Sequence, residues 1–516
     1  MTNRDIAAAR DFHNSTKHSY SSVRTSLHHL DWANQPLPFK IYPTLEPLPL
    51  PREFPQTGVA ALSAIAQVGT RPEGSAVPDL RALAALLYFS AGITRRRTYP
   101  GGEVFFRAAA CTGALYEIEL YVVCGDLPDL PAGVYHFGPA DFALRKLRSG
   151  DYRGVLDRAT AAEPGVSHAP LTVICTGTYW RNAWKYQART YRHFGWDNGT
   201  VLANLLAMCA ALARRGGPAR VVCGFVDAEV NRLLDLDTQR EVAFCMVPIA
   251  YVADQPPEPL SQIMPLGLET VPLSKREVDY PSMRAVHEAS SLRSEEEVAA
   301  WRGQTPAKQL PPVQGACVPL EPYGEQEIPR DPIEGVVLRR GSCRKFARAA
   351  ISFAQLSTVL DRATRGIPAD FLDPPGALLN DLYLIVHAVE GLPPGAYVFH
   401  HDRGELECLK EGDFRGEAYY LGLEQDLPAE ASVAVFFLAD LRQILEHFGN
   451  RGYRAVQLEA GILGGKLYLA AYAQRLAATG LTFYDDDVTS FFSPHAQGKS
   501  AIFLTALGKS AKRKEH

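Results

Sequence analysis

The chain has 516 residues, 47% of them hydrophobic and 21% charged, with a formal net charge of −4. That length exceeds one core and suits two domains with connecting structure, while the small net charge supplies no field that would gather nucleic acid. The N-terminal 30 residues hold no apolar export core and no run of about 18 apolar residues occurs anywhere, so the expectation is a cytoplasmic protein that spans no membrane.

In chain order, residues 1–55 read as an extended arm that ends in a proline-rich stretch from Pro36 to Pro51. His13, His18, His28, His29 and Asp31 lack metal-ligand spacing and are expected as surface contacts. A first unit, 56–255, follows: a helix over 80–89, strands over 118–124 and 171–175, an apolar helix over 201–213 and a closing strand over 242–252. The helix over 201–213 is nearly free of charge, which requires burial between layers. Prolines crowd 256–325, a linker with one clear helix announced by Ser294 and Glu297 as a capping box before Val298 and Trp301. The second unit, 326–516, repeats the order with helices over 353–363 and 460–478 and strands over 382–389, 433–438 and 501–507. Nine cysteines without a CxxC, three of them in apolar strands, read as reduced structural thiols, and no metal site is expected.

The two units are copies. Arg189-Thr190-Tyr191-Arg192 matches Arg451-Gly452-Tyr453-Arg454, and Pro131 to Tyr135 matches Pro393 to Tyr397, both at a separation of 262. At that offset Lys185 and Tyr186 fall on His447 and Phe448, so this ionisable pair occurs once. Arg340, Ser342 and Arg344 precede a helix and could form a phosphate cradle. Their counterparts at the local offset of 274 are Ala66, Val68 and Thr70, which could not. Arg95-Arg96-Arg97 reads as a solvated loop run. Asp197 and Asp227 read as helix caps, and Arg451, Tyr453 and Arg454, kept in the copy without the pair, read as structural.

The segments 107–123, 130–137, 184–192 (Trp-Lys-Tyr-Gln-Ala-Arg-Thr-Tyr-Arg) and 224–234, with 339–346 and 392–397 in the second copy, resemble the SagB/ThcOx branch of the nitroreductase superfamily. The resemblance implies an α+β fold of two tandem nitroreductase-like domains forming an intramolecular pseudo-dimer, with FMN bound between them. It further implies a phosphate clamp of Arg340, Ser342 and Arg344 with Lys509 as a looser contact, backbone donors to the flavin N5 near Thr482 and Phe483, and a small-residue loop of Cys111, Thr112 and Gly113. Ala110-Cys111 departs from the usual Pro-Ser of the family, and 480–484 from its glycine-rich turn.

The activity so implied is oxidation of an azoline-type heterocycle in a peptide or carrier-tethered small-molecule intermediate, alongside biosynthetic partner enzymes. Lys185 is then the base, its pKa lowered by burial and by Arg189 and Arg192, and Tyr186 the proton relay. An NAD(P)H-driven nitro or quinone reductase and a flavin-free scaffold are the alternatives. The mirror site is expected to be empty.

Overall fold

The computed structural model describes residues 2–67, 77–99, 102–212, 219–252, 256–259, 262–303, 305–308 and 311–511. Two antiparallel sheets organise it. The first runs, edge to edge, through Pro47–Pro49, Ala143–Ser149, Gly133–Gly138, Ile118–Cys124, Leu171–Thr178 and Glu241–Ile249. The second runs through Cys317–Pro319, Glu405–Glu411, Gly395–His400, Asp381–Val386, Val433–Ala439 and Ser500–Gly508, with Ala477–Leu481 added at the far edge. The register repeats as well as the order: Tyr121 pairs with His136 and Ile174, and Tyr383 with Val398 and Phe436, each residue 262 positions on. The fold is α+β, built of two like units. Ile118–Cys124 and Val433–Ala439 are buried along their whole length; Val433–Ala439 is an unbroken apolar run, and Ile118–Cys124 is broken only by Glu119, which pairs with Arg181 and His136.

The units meet along two long buried helices, Thr190–Ala211 and Arg451–Ala473. Glycine permits the crossing. A Cβ on Gly199 would stand 2.4 Å from the backbone of Gly461, and one on Gly461 would stand 2.5 Å from the Trp196 carbonyl. Gly199 and Gly461 are repeat mates, so the contact is isologous, as across a two-fold axis. Gly199→Val is expected to cost about 1–3 kcal/mol by overpacking the crossing; an unchanged midpoint in chemical denaturation would refute that account.

The second long helix begins nine residues before the expected 460 and ends before the strand Ala477–Leu481, because its first turns carry Arg451 and Arg454 and look polar in sequence. The first begins at Thr190; Ala213 lies outside the described residues. The linker holds a second helix, Pro281–Ala289, and buries Met283, Val298 and Trp301 in the shared core. Arg95-Arg96-Arg97 are exposed but sit on a hairpin, Ile93–Tyr99 with Gly102–Arg107, not in a loop. The arm is docked. Its helix Ala7–Ser15 buries Phe12 and His13, so His13 is not a surface contact, and Pro47–Pro49 forms an edge strand, where proline is tolerated. Among the described residues no helix is long and apolar enough to cross a membrane.

Candidate active site

A cavity of about 390 Å³ lies where the units meet. Cys111, Thr112, Gly113, Lys185 and Tyr186 line it from the first unit, and Ser342, Arg344 and Thr482 from the second. Eight of the residues singled out by sequence thus share one cavity. Gly113 has a φ of 65°, and a Cβ there would fall 2.8 Å from the Tyr186 hydroxyl, so the loop can pass beneath that ring only as glycine. Tyr186 ends the helix Tyr179–Tyr186, and the His193 ring packs edge-on against it at 4.7 Å. Asn182 stitches the pieces together, its carbonyl facing His193 Nδ1 at 2.7 Å while its amide donates to the Thr112 carbonyl at 3.4 Å.

On the opposite wall the Tyr468 hydroxyl lies 3.3 Å from Ser342 Oγ and accepts from the Gly480 amide at 2.5 Å. The Thr482 hydroxyl is buried and has no hydrogen-bond partner. Arg344 is exposed at the rim, and no hydrogen bond or ion pair ties it down among the described residues. Arg340 and Lys509 do not line the cavity, and Phe483, expected through its backbone, adjoins Thr482, which does. Arg340 does not reach the cavity; its buried guanidinium donates to the carbonyls of Arg107 and Ala108 at 3.0 Å each, making it a strut between the units. Phe483 is fully buried, packed on Trp196 and beneath Arg189. Lys509 is exposed, and its carbonyl accepts from the Ala347 amide.

Lys185 is exposed at the mouth, its Nζ 5.3 Å from the centre of the Tyr186 ring. It is not buried, and the cations expected to act on it are paired elsewhere: Arg189 and Arg192 pair with Asp485 at 3.0 and 2.6 Å. Burial alone would raise the Asp485 carboxyl, but these two guanidiniums hold it well below the usual carboxylate range. The same burial, aided by Arg189, keeps His193 neutral.

Neither aspartate is a helix cap. Asp227 is clamped between Arg451 at 2.6 Å and Arg454 at 2.7 Å, the repeat counterpart of Asp485, so those arginines are structural across the interface. Asp197 lies inside the helix Thr190–Ala211, on the cavity wall. It accepts from the Thr112 amide and hydroxyl at 2.9 Å, and the Cys111 thiol reaches both it and Glu117 at 3.3 Å. Burial and the neighbouring Glu117 push the Asp197 carboxyl well above its ordinary value. Sequence reading missed Glu117 and His193. Asp197 stood out in the sequence only as a helix cap.

A second cavity, about 490 Å³, occupies the mirror position. Its Leu372, Asp373 and Pro375 are the 262-residue mates of Ala110, Cys111 and Gly113. His447 and Phe448 do not line it, and Phe448 is buried against Trp301. Ala66 is buried in the helix Ala61–Ala66; Val68 and Thr70 lie outside the described residues.

Two α+β units sharing an interface cavity define a nitroreductase-like fold. No protein-family model matches the chain. Over 165 residues it is 23% identical to a protein of Methanocaldococcus jannaschii named as a nitroreductase, a match covering 30% of this chain and 81% of the other. The crystal structure of a protein of Anabaena variabilis, also named as a nitroreductase, superposes with a TM-score of 0.76 at 26% identity, over 98% of this chain and 99% of that one. The Escherichia coli microcin synthetase complex with bound truncated pro-MccB17 matches 48% of this chain at 17% identity and a TM-score of 0.32. The first two likenesses support a nitroreductase-superfamily oxidoreductase.

Proposed function

We propose that the chain is an FMN-dependent dehydrogenase or oxidase of the SagB/ThcOx type, with one working cavity per chain, acting on an azoline-type ring in a peptide or carrier-bound intermediate. In this reading 56–255 and 326–516 are tandem copies, 1–55 is an arm and 256–325 a linker, and the substrate arrives from biosynthetic partner enzymes in the cytoplasm. The observation that carries it is the convergence of Lys185 and Tyr186 with Ser342, Arg344 and Thr482 around one cavity.

The donor set fits FMN. Arg344 offers a cation without a partner among the described residues and Ser342 a hydroxyl to an anionic phosphate, and Thr482 has a buried hydroxyl without a partner among the described residues. When bound, FMN supplies a hydride acceptor. The chain's own part is to orient the substrate ring between Tyr186 and the second unit and to move a proton. Lys185, at the mouth, exchanges that proton with solvent, and Tyr186 links it to the interior. The alternative, an NAD(P)H-driven reductase, draws on the names of the two nitroreductase relatives.

Cofactor release from purified protein should yield about one FMN per chain, since only a site that binds retains ligand through purification. Ser342→Ala combined with Arg344→Ala should abolish it, whereas Lys185→Met should keep it. Two flavins per chain, or none, would sink the one-cavity reading.

A further inference from the structure

We propose that Asp197 and Glu117 hold one proton between them and form the internal proton acceptor of the cavity, joined to its mouth through Tyr186. The inference rests on the proposed oxidation for where the proton comes from, but the shared proton itself is a property of the flavin-free chain.

Three observations converge. Donor atoms of Cys111, Glu117 and Asp197 all lie within 4.8 Å of one another. Glu117 is fully buried and Asp197 only 4% exposed, and among the described residues neither carboxyl pairs with a lysine or arginine. Glu117 Oε1 has no donor facing it at all. Two buried carboxylates this close, with no cation, cannot both stay ionised, and a proton between them satisfies the orphaned oxygen. Burial and mutual repulsion act in the same direction on Asp197.

The second unit separates structure from chemistry. There the mate of Asp197 is Glu459, which binds the amides of Leu379 and Asn380 at 2.7 and 2.8 Å and the Asn380 side chain. Anchoring a loop therefore needs one carboxylate, and both units have it. Position 117 is Leu379 in the copy, so the second carboxyl occurs only in the unit that carries Lys185 and Tyr186. Thr112 falls on Pro374, whose nitrogen has no hydrogen to donate, which accounts for the shifted anchor of Glu459.

The remaining groups around the pair suit a relay. Cys111 and Tyr116 belong to its own loop, with the Tyr116 amide donating to the Cys111 sulfur at 3.0 Å. Tyr186 and Lys185 come from the helix Tyr179–Tyr186, His193 from the long helix, and Arg344 from the opposite unit. Burial and the nearby Asp197 keep Tyr186 protonated, so its hydroxyl passes a proton without holding the charge. When bound, FMN would accept the hydrogen and electron pair of a substrate C–H bond as hydride, and the adjacent C–H or N–H bond would leave its electrons in the new double bond and release a proton. The released proton goes to the carboxyl pair, which becomes fully protonated and then discharges through Tyr186 and Lys185 to water.

Infrared spectroscopy of the flavin-free protein at pH 7 tests the shared proton. The wild-type-minus-Asp197→Asn difference spectrum is expected to show a protonated-carboxyl band, because the asparagine amide can donate to an ionised Glu117; the difference cancels the band of Glu459, which burial raises to about 7. Unfolding provides a second readout. Because the folded-state pKa of Asp197 is raised, its contribution to stability is fully present below the unfolded pKa, about 4, and is lost as pH rises through the folded value, so Asp197→Asn should gain on wild type as pH rises from about 4. Glu117→Gln in the FMN-loaded enzyme should lower kcat about 100-fold with FMN content unchanged and should remove a limb of the pH–rate profile. A difference spectrum without the band, or a Glu117→Gln enzyme with an unaltered profile, overturns the proposal. A band in a protein that oxidises no azoline leaves the shared proton standing and removes only the functional reading.

Discussion

Asp485→Ala is expected to destabilise the chain by about 3–5 kcal/mol, the cost of leaving buried charges without their partner. The carboxylate is 1% exposed and carries two guanidiniums, Arg189 and Arg192, that are themselves fully buried. It also accepts from the His18 amide at 2.8 Å, so it fastens the arm to the interface beside the cavity that His18 helps to line. The pH dependence has a definite sign. A carboxyl held below its ordinary value contributes stability that is present above the unfolded pKa, about 4, and is lost as pH falls toward the folded value. Wild type should therefore lose stability below about pH 4 more steeply than Asp485→Asn, which cannot titrate. Denaturant titrations at neutral and acid pH decide it, and equal slopes for the two proteins would remove Asp485 from the account.

Much of this arrangement was legible in the chain because matching segments recur at a constant spacing. The matched Arg189/Arg192 and Arg451/Arg454 gave the repeat, and runs such as Ile118–Cys124 announced strands buried on both faces. Bringing Lys185, Tyr186 and the Cys111–Gly113 loop to one cavity with Ser342 and Arg344 depended on complementarity between the copies, which a sequence displays directly. Partners across the interface stayed hidden. Arg340 shows its guanidinium in the sequence but not the two carbonyls it serves, and Arg189 and Arg192 do not advertise Asp485. Glu117 reads as an ordinary charge at the start of a strand until folding sets it beside Asp197 on a helix far along the chain. The arm misled for a similar reason: its polar composition outweighed Phe12 and His13, whose burial depends on surfaces contributed by both units.

The largest functional effect is expected at Lys185 and Tyr186. Lys185→Met and Tyr186→Phe should each lower the rate of azoline oxidation by about 10²–10⁴, the usual loss when a positioned proton-transfer group is removed. Neither change should unfold the protein. Lys185 is exposed and makes no hydrogen bond among the described residues, and the Tyr186 ring keeps its packing on His193 when only the hydroxyl is deleted, so stability should stay within about 0.5 kcal/mol. FMN content should also hold, because the phosphate-facing groups Ser342 and Arg344 lie across the cavity. These expectations separate the two enzymatic readings. A reductase fed by NAD(P)H takes its hydride from a cofactor that needs no carbon acid deprotonated, so both variants should keep nitro or quinone turnover within a few-fold of wild type. Single-turnover flavin reduction by the azoline substrate, followed together with proton release to solvent, is the measurement, and wild-type rates of both steps in Lys185→Met would exclude the lysine from proton transfer. The paired comparison also orders the proposed relay: Lys185 is exposed, whereas Asp197 on the cavity wall and Glu117 behind it are buried. Lys185→Met should therefore slow proton release to solvent while sparing the first hydride transfer more than Tyr186→Phe does.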